Sequence, residues 1–376
     1  MANDKNNKIS IWNNLVGGVM INLTRGVPAP ESYALAEFAE CFKKAMEEDG
    51  AKAMSYVASP GYEPLIHLIA DQEKINADQV VIGNGSLELL QFLTYTETQP
   101  GDCVFVESPS YDRANLLMKR RGLNPIGIPL ETDGVDLNVL QDALKKHQPK
   151  FFYLIPDFQN PMGVTYSLEK RKTIAELAQK YHFFVVEDSP YRSLRYVGQD
   201  LPTLSSFVPP ELSVRMTSYS KTLAPGLRMG VMMGNPEIIK RVKKWAGDTY
   251  IGPVSPTQAL TYQFIKSGYY EPNLKKIKEL YAPRLAKALE VLDRELPGAV
   301  YPRPEGGFFI GVTLPEGNDM ATLIPRAKEA GINITDGRGF YLNPEDGKRF
   351  LRIPFCGLKP AEIEEALGQL IPLLVK

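Results

Sequence analysis

The stretch Val214-Arg215-Met216-Thr217-Ser218-Tyr219-Ser220-Lys221-Thr222-Leu223-Ala224-Pro225-Gly226-Leu227-Arg228 decides how the chain is read. A short apolar run ends in hydroxyl residues, a lysine stands just past it, and an arginine follows seven positions on. A lysine at a strand end beside a second fixed cation places an amine nucleophile next to an anion clamp.

Working outward, similar apolar runs rich in Val, Ile and Phe recur at Val80–Gly83, Cys103–Val106, Phe151–Ile155, Phe183–Glu187 and Met229–Met233. Helical patterns lie between several of them, at Ser86–Thr98, Tyr111–Arg121, Leu137–His147 and Leu168–Tyr181. Alternation of strand and helix is the α/β signature, and runs apolar on both sides suit strands covered by helices on both faces of a mainly parallel sheet. The reading expects a large domain over residues 31–265 built on a seven-stranded, mainly parallel sheet that includes these six runs. Past it, a charged helical segment near Pro272–Glu295, the runs Phe308–Leu314, Ile332–Thr335 and Phe350–Pro354, and a closing helix from Pro360 read as a smaller α+β domain over residues 266–376. Residues 1–30 have little periodicity and form an arm that must pack on the small domain or on a partner.

In an open α/β sheet the ligand groups come from loops at the carboxyl ends of strands. Asn84-Gly85-Ser86-Leu87 opens a helix, where free backbone N–H groups make a natural phosphate seat. Tyr111 follows the next strand, Asn160 sits in the turn Pro156–Gly163, and Asp188 and Tyr191 follow the run ending at Glu187. Each has a plain structural reading as well: a helix cap, a packed ring, an Asn-Pro turn, a capping carboxylate. Asp188 differs in that an ionised acid at the end of a buried strand needs a partner.

The 376 residues are 44% apolar and 23% charged, enough for more than one core, and 43 Lys+Arg against 44 Asp+Glu leave a formal charge of -1. No overall basic field recommends nucleic acid or an anionic membrane as partner, so any anion must be recognised locally. Cys41, Cys103 and Cys356 are widely spaced and read as buried thiols in a reducing cytosol, with no metal site. The polar start MANDKNNKIS leads into no apolar segment, so a cytoplasmic enzyme is expected.

Ser218-x-x-Lys221 followed by Pro225-Gly226-Leu227-Arg228, with Asn160-Pro161 and Asp188-x-x-Tyr191 upstream in the same order, resembles the class I/II aminotransferases of pyridoxal-5'-phosphate (PLP) fold type I, the aspartate aminotransferase-like fold. The likeness spans roughly residues 20–370 and is strongest to the 2-aminoadipate (LysN-like) and kynurenine aminotransferase II-like branch, whose arm resembles Gly26-Val27-Pro28-Ala29-Pro30-Glu31. The resemblance implies that Lys221 holds the cofactor as a Schiff base and moves the proton, and that Asp188 pairs with the pyridinium nitrogen. Asn160 and Tyr191 would bond the ring's 3-oxygen, and Tyr111 would stack on the ring. Gly85, Ser86, Leu87, Ser218 and Arg228 would hold the phosphate, joined by Tyr56 from the partner of a homodimer with a shared site, and Arg352 would bind the substrate α-carboxylate.

The branch commonly has a small residue where this arm has Arg25. Arg25 therefore either reads a substrate side-chain carboxylate or is bound to partner or solvent. Phe308 and Tyr62 are expected as core residues or pocket walls. The leading expectation is an enzyme that passes an amino group from an L-amino acid to a 2-oxo acid, with 2-oxoglutarate as acceptor. Another PLP reaction, such as β-elimination or racemisation, keeps the same motifs, as does a ligand-sensing module without turnover. Some regulators of this branch carry a DNA-binding domain ahead of the arm. About 20 residues precede the arm here, too few for such a domain, so a free-standing enzyme is favoured.

Overall fold

A computed structural model describes residues 20–58 and 60–375. The first part of the expected arm, residues 1–19, lies outside them.

Strand β1 (Ile21–Leu23) is followed by helices Leu35–Ala53 and Glu63–Glu73 and by β2 (Val80–Gly83). Then come β3 (Cys103–Ser108), β4 (Asn124–Glu131), the two-residue β5 (Gly134–Val135), β6 (Phe151–Leu154), β7 (Phe184–Asp188), β8 (Ser213–Ser218) and β9 (Gly230–Gly234). The sheet order is β2-β9-β8-β7-β6-β3-β4-β5. From β8 to β4 every neighbour is parallel, and β9 runs against both of its neighbours. The six apolar runs form β2, β3, β6, β7, β8 and β9; β4, which the sequence did not reveal, completes the seven strands expected, and β5 adds an eighth through a hairpin with β4.

Every residue of β2 and β6 is buried, which is why these runs show no alternation in the sequence. The strand β4 carries Pro125 and Pro129, and it hides from a strand-seeking eye for that reason. Its bonds to β3 and to the short β5 leave room for residues that lack a donor.

Past the sheet, helices Pro236–Tyr250 and Ser255–Lys266 lead to the long helix Tyr270–Glu295. Leu274, Ile277 and Tyr281 from its first half pack into the core beside the large sheet. Leu285, Ala288, Val291 and Leu292 from its second half pack into a separate core. That second core is completed by β10 (Phe309–Thr313), β11 (Ile332–Ile334), β12 (Phe350–Pro354) and the helix Pro360–Leu370. Here β10 and β12 pair antiparallel, as an α+β unit should. The arm joins this unit: Ile21, Asn22 and Leu23 pair in parallel with Ile332, Asn333 and Ile334, and Leu23 is buried among its core residues.

Cys41 and Cys356 are buried free thiols, whereas Cys103 is only half-buried, contrary to the expectation for all three. Cys103 opens β3 at the rim of the sheet, where cover from the helices begins. No helix among the described residues is long and apolar enough to cross a membrane.

Candidate active site

The loops at the ends of β2, β3, β6, β7 and β8 converge with β12 and the arm on one cluster of polar groups. Lys221 sits in the turn after β8. Its Nζ donates to the carbonyl of Gly26 at 2.9 Å and lies 5.9 Å from the Tyr191 ring and 5.8 Å from the Phe308 ring. Burial lowers its pKa, and the charges of Arg352 and Arg228 lower it further against an opposing pull from Cys356. Desolvation is the largest of these influences.

Asp188 closes β7 with its side chain buried. Tyr153 donates its hydroxyl to Oδ2 at 2.8 Å, while Oδ1 has no hydrogen-bonding partner among the described residues. Burial pushes this carboxyl up to about 6 despite the Tyr153 bond. The partner that Asp188 needs is thus only half supplied by the chain.

Arg352 in β12 is 7% exposed. Its guanidinium lies between two rings, 4.6 Å from the centroids of both Phe309 and Phe340. Nη1 donates to Asn160 Oδ1 at 2.9 Å, and Nη2 donates to the Thr24 carbonyl at 2.6 Å and to Thr335 Oγ1 at 3.4 Å. Its Nε is buried without a partner, and among the described residues no carboxylate pairs with it. A buried guanidinium held only by neutral groups is a waiting seat for an anion, not a structural ion pair. The bond from Arg352 fixes Oδ1 of Asn160, which turns the Nδ2 end of that amide away from the arginine.

The phosphate seat is a packing arrangement of glycines. Gly85 precedes the helix Ser86–Glu97 with φ of 112°, and a Cβ there would come within 2.5 Å of Arg228 Nη2. A Cβ on Gly230 would strike the Gly85–Ser86 peptide. The N–H groups of Ser86 and Leu87 lie in the first helical turn, where no intrahelical acceptor exists, while the Leu87 side chain packs on the core. Arg228 reaches across to the Asn84 carbonyl at 3.1 Å. Ser218 donates to the Met229 carbonyl at 3.0 Å and accepts from Ser220 N–H at 3.2 Å, so its hydroxyl must rotate before it can donate to an anion.

Tyr111, half-buried at the start of helix Asp112–Arg121, packs on the core beside the large sheet, and burial pushes its hydroxyl up to about 12. Tyr191 is buried edge-on to Phe308 and Phe309, with centroids 5.7 and 5.8 Å away. Phe308 is fully buried behind Lys221, and Tyr62 is a core residue whose hydroxyl donates to Asp49 Oδ2 at 2.9 Å.

Two sequence candidates stand apart. Tyr56 is 88% exposed, and the Arg25 side chain is exposed on the arm between the two carbonyls that meet Arg352 and Lys221. Phe309, Phe340, Thr335 and the carbonyls of Thr24 and Gly26 were not foreseen. Aromatic faces on an arginine leave no spacing signature, and a carbonyl carries no residue identity.

The residues fit pyridoxal phosphate. An orphaned buried oxygen on Asp188 matches a protonated ring nitrogen, a lysine of lowered pKa matches an aldehyde, and free helix N–H groups beside Arg228 match a phosphate. Among the described residues no cluster of His, Cys, Asp or Glu is placed to hold a metal ion.

The family model for aminotransferase class I and II matches residues 19–370. The chain is 30% identical over 363 residues to aromatic-amino-acid aminotransferase 1 of Thermococcus litoralis, covering 93% of this chain and 87% of that one. The crystal structure of a multiple substrate aminotransferase from Thermococcus profundus superposes with a TM-score of 0.91 at 30% identity, covering 100% of this chain and 95% of the other. LysN, the alpha-aminoadipate aminotransferase of Thermus thermophilus, solved with N-(5'-phosphopyridoxyl)-L-leucine, gives a TM-score of 0.89 at 29% identity over 94% and 92% of the two chains. The loops at the strand ends and the match along nearly the whole chain agree, and the chain belongs to the class I and II aminotransferases, pyridoxal-5'-phosphate enzymes of the aspartate aminotransferase-like fold.

Proposed function

We propose that the enzyme passes the α-amino group of an L-amino acid to 2-oxoglutarate in a ping-pong cycle, the first product leaving before the acceptor binds. The observation that carries this reading is Arg352, a buried cation that no carboxylate pairs with among the described residues, in one cluster with the Lys221 amine and the half-satisfied Asp188. Both substrates of such a cycle bring an α-carboxylate, and one clamp serves them in turn.

When bound, pyridoxal phosphate supplies the conjugated electron sink for charge at the substrate α-carbon. Asp188 Oδ1 would hold a proton on the ring nitrogen, and Asn160 and Tyr191 would bond the ring's 3-oxygen. Tyr111 covers a ring face. Gly85, Ser86, Leu87 and Arg228 bind the phosphate, and Ser218 joins them once its hydroxyl turns. Lys221 Nζ would carry the cofactor at rest and, once freed, would take the proton from the substrate α-carbon and deliver it to the former aldehyde carbon of the cofactor. Its lowered pKa brings it toward the range where it can do both.

The relatives are named for aromatic, 2-aminoadipate and multiple donors, so we place the donor among aromatic, branched-chain, glutamate-like and 2-aminoadipate amino acids. Arg25, next to the two arm carbonyls over the site, pairs with a side-chain carboxylate of the acidic donors. The chain works as a homodimer in which Tyr56 reaches the phosphate seat of a second copy. Ile251 and Val254, 59% and 53% exposed, flank that seat, Val254 N–H donating to Asn84 Oδ1 at 3.0 Å. The arm, the large domain and the small domain divide near residues 30 and 265, and three free cysteines suit a cytoplasmic setting.

A half-reaction screen tests the reading. Conversion of bound cofactor to its amine form is followed across a panel of amino acids, then reversed with 2-oxoglutarate. Release of ammonia, or of a racemised amino acid, without conversion of the cofactor to its amine form would overturn it, as would a spectral change with no product.

A further inference from the structure

Glu107 lies one residue before the end of β3 and is 1% exposed, yet no cation pairs with it among the described residues. Three donors converge on it. Oε1 accepts from the Ile155 N–H at 3.0 Å and the Tyr166 hydroxyl at 2.8 Å, and Oε2 accepts from Gln159 Nε2 at 2.8 Å. Gln159 passes the connection on. Its Nε2 also donates to the Pro109 carbonyl at 3.0 Å, and its Oε1 accepts from Met162 N–H at 2.8 Å. The backbone closes the same turn, with Gln159 N–H donating to Val164 O at 2.9 Å and Gly163 N–H to Gln159 O at 2.6 Å.

This network joins two loops. Asn160 follows Gln159 directly, and Tyr111 lies two residues past Pro109. We propose that Glu107 is a positioning residue for the aminotransferase reaction: through Gln159 it fixes the distance between the Asn160 turn and the Tyr111 loop, and so the alignment of the groups that meet the cofactor ring. The inference rests on the assignment of Asn160 and Tyr111 to that ring.

Stability alone is a poor reason for such a group. A buried carboxylate without a cation costs more than apolar residues of the same volume, and burial with the charge of Asp188 pushes Glu107 up to about 8. Tyr166 and Tyr153 are the other titratable groups facing it, and burial raises both beyond the working range. What the carboxyl group offers that an apolar residue does not is a pair of oxygens that together accept from three named donors.

The test uses the holoenzyme and Glu107→Gln. The new amide keeps the volume and one acceptor oxygen, but it sets Nε2 against Gln159 Nε2, donor facing donor. Two quantities are read: the pH midpoint of the visible absorption band of the bound cofactor, and the rate of the half-reaction with one amino acid. The expected result is loaded, folded protein whose midpoint moves by about one pH unit, the scale of one altered hydrogen bond to an ionisable group, with a rate lower by about 10- to 100-fold. A midpoint and rate equal to wild type overturn the proposal. Should Glu107→Gln fail to fold, Gln159→Met cuts the same link from the other side and is read in the same way. Wild type lacking any visible band would sink the cofactor-site assignment itself; a normal wild-type band with an unmoved variant sinks only the role of Glu107.

Discussion

The hydroxyl of Tyr153 donates to Oδ2 of Asp188 at 2.8 Å, while Oδ1 of the same buried carboxyl has no partner among the described residues. The cofactor-free chain therefore carries an acid whose folded pKa, about 6, lies above its ordinary value of 3.8. A raised carboxyl pKa means that the folded state holds the proton more tightly. The stability it contributes is full below the ordinary value and is lost as pH rises through about 6. At about 1.4 kcal/mol per unit, the ionised form costs the cofactor-free fold about 3 kcal/mol. Asp188→Asn should then make the cofactor-free protein more stable at pH 8 by about 2 to 3 kcal/mol, with the gain fading below pH 5. The order should reverse once pyridoxal phosphate is added. Urea denaturation at the two pH values, with and without cofactor, checks both signs; a variant less stable without cofactor contradicts the reading of Oδ1.

Arg352 is flattened between Phe309 and Phe340, an arrangement an ammonium group does not reproduce. Arg352→Lys should raise the KM of the amino donor about 10- to 100-fold, the scale of charge-assisted bonds lost, and leave cofactor affinity within about twofold. Steady-state kinetics beside a cofactor titration separates the two, and an unchanged KM would remove Arg352 from the carboxylate seat.

Gly26 gives its carbonyl to Lys221, and a Cβ on it would overlap the Phe309 ring. Gly26→Ala should push the arm off the site, lowering kcat/KM at least about tenfold, because misplacement by an ångström is costly in a preorganised site. The arm is short and half-exposed, so the melting temperature should move little. A large fall in melting temperature with kcat/KM preserved would show that Gly26 serves packing only.

Arg25 offers a contrast between substrates. If it pairs with a side-chain carboxylate, Arg25→Ala should lose catalytic efficiency on glutamate at least about tenfold, the scale of one charge-assisted bond, and little on phenylalanine. Equal losses on both substrates would leave the arginine without a selective role.

The parts of this site that were legible in the sequence share one property: they are side chains at the ends of apolar runs. Lys221, Asp188, Asn160 and Gly85 all stand where a buried strand stops, and the structure brings three of the four strand ends around the residues foreseen, with β2 supplying the phosphate loop. Glu107 stood in the same kind of place and was passed over, because a glutamate before Ser-Pro reads as solvated loop unless its three donors, all distant in sequence, are known. The carbonyls of Thr24 and Gly26 could not be read at all, since any residue supplies a carbonyl. In the fold, β4 was missed because its prolines and glycine argue against a strand, and only its place near the sheet edge makes them tolerable.

The central claim is that the amine of residue 221 holds the cofactor. Borohydride reduction of the purified holoenzyme, followed by peptide mass analysis, should find the pyridoxyl adduct on Lys221 and on no other lysine. Lys221→Ala, treated the same way, should carry no adduct and have lost transamination by at least about a thousandfold. An adduct retained in that variant, or found on a different lysine of the wild type, contradicts the account.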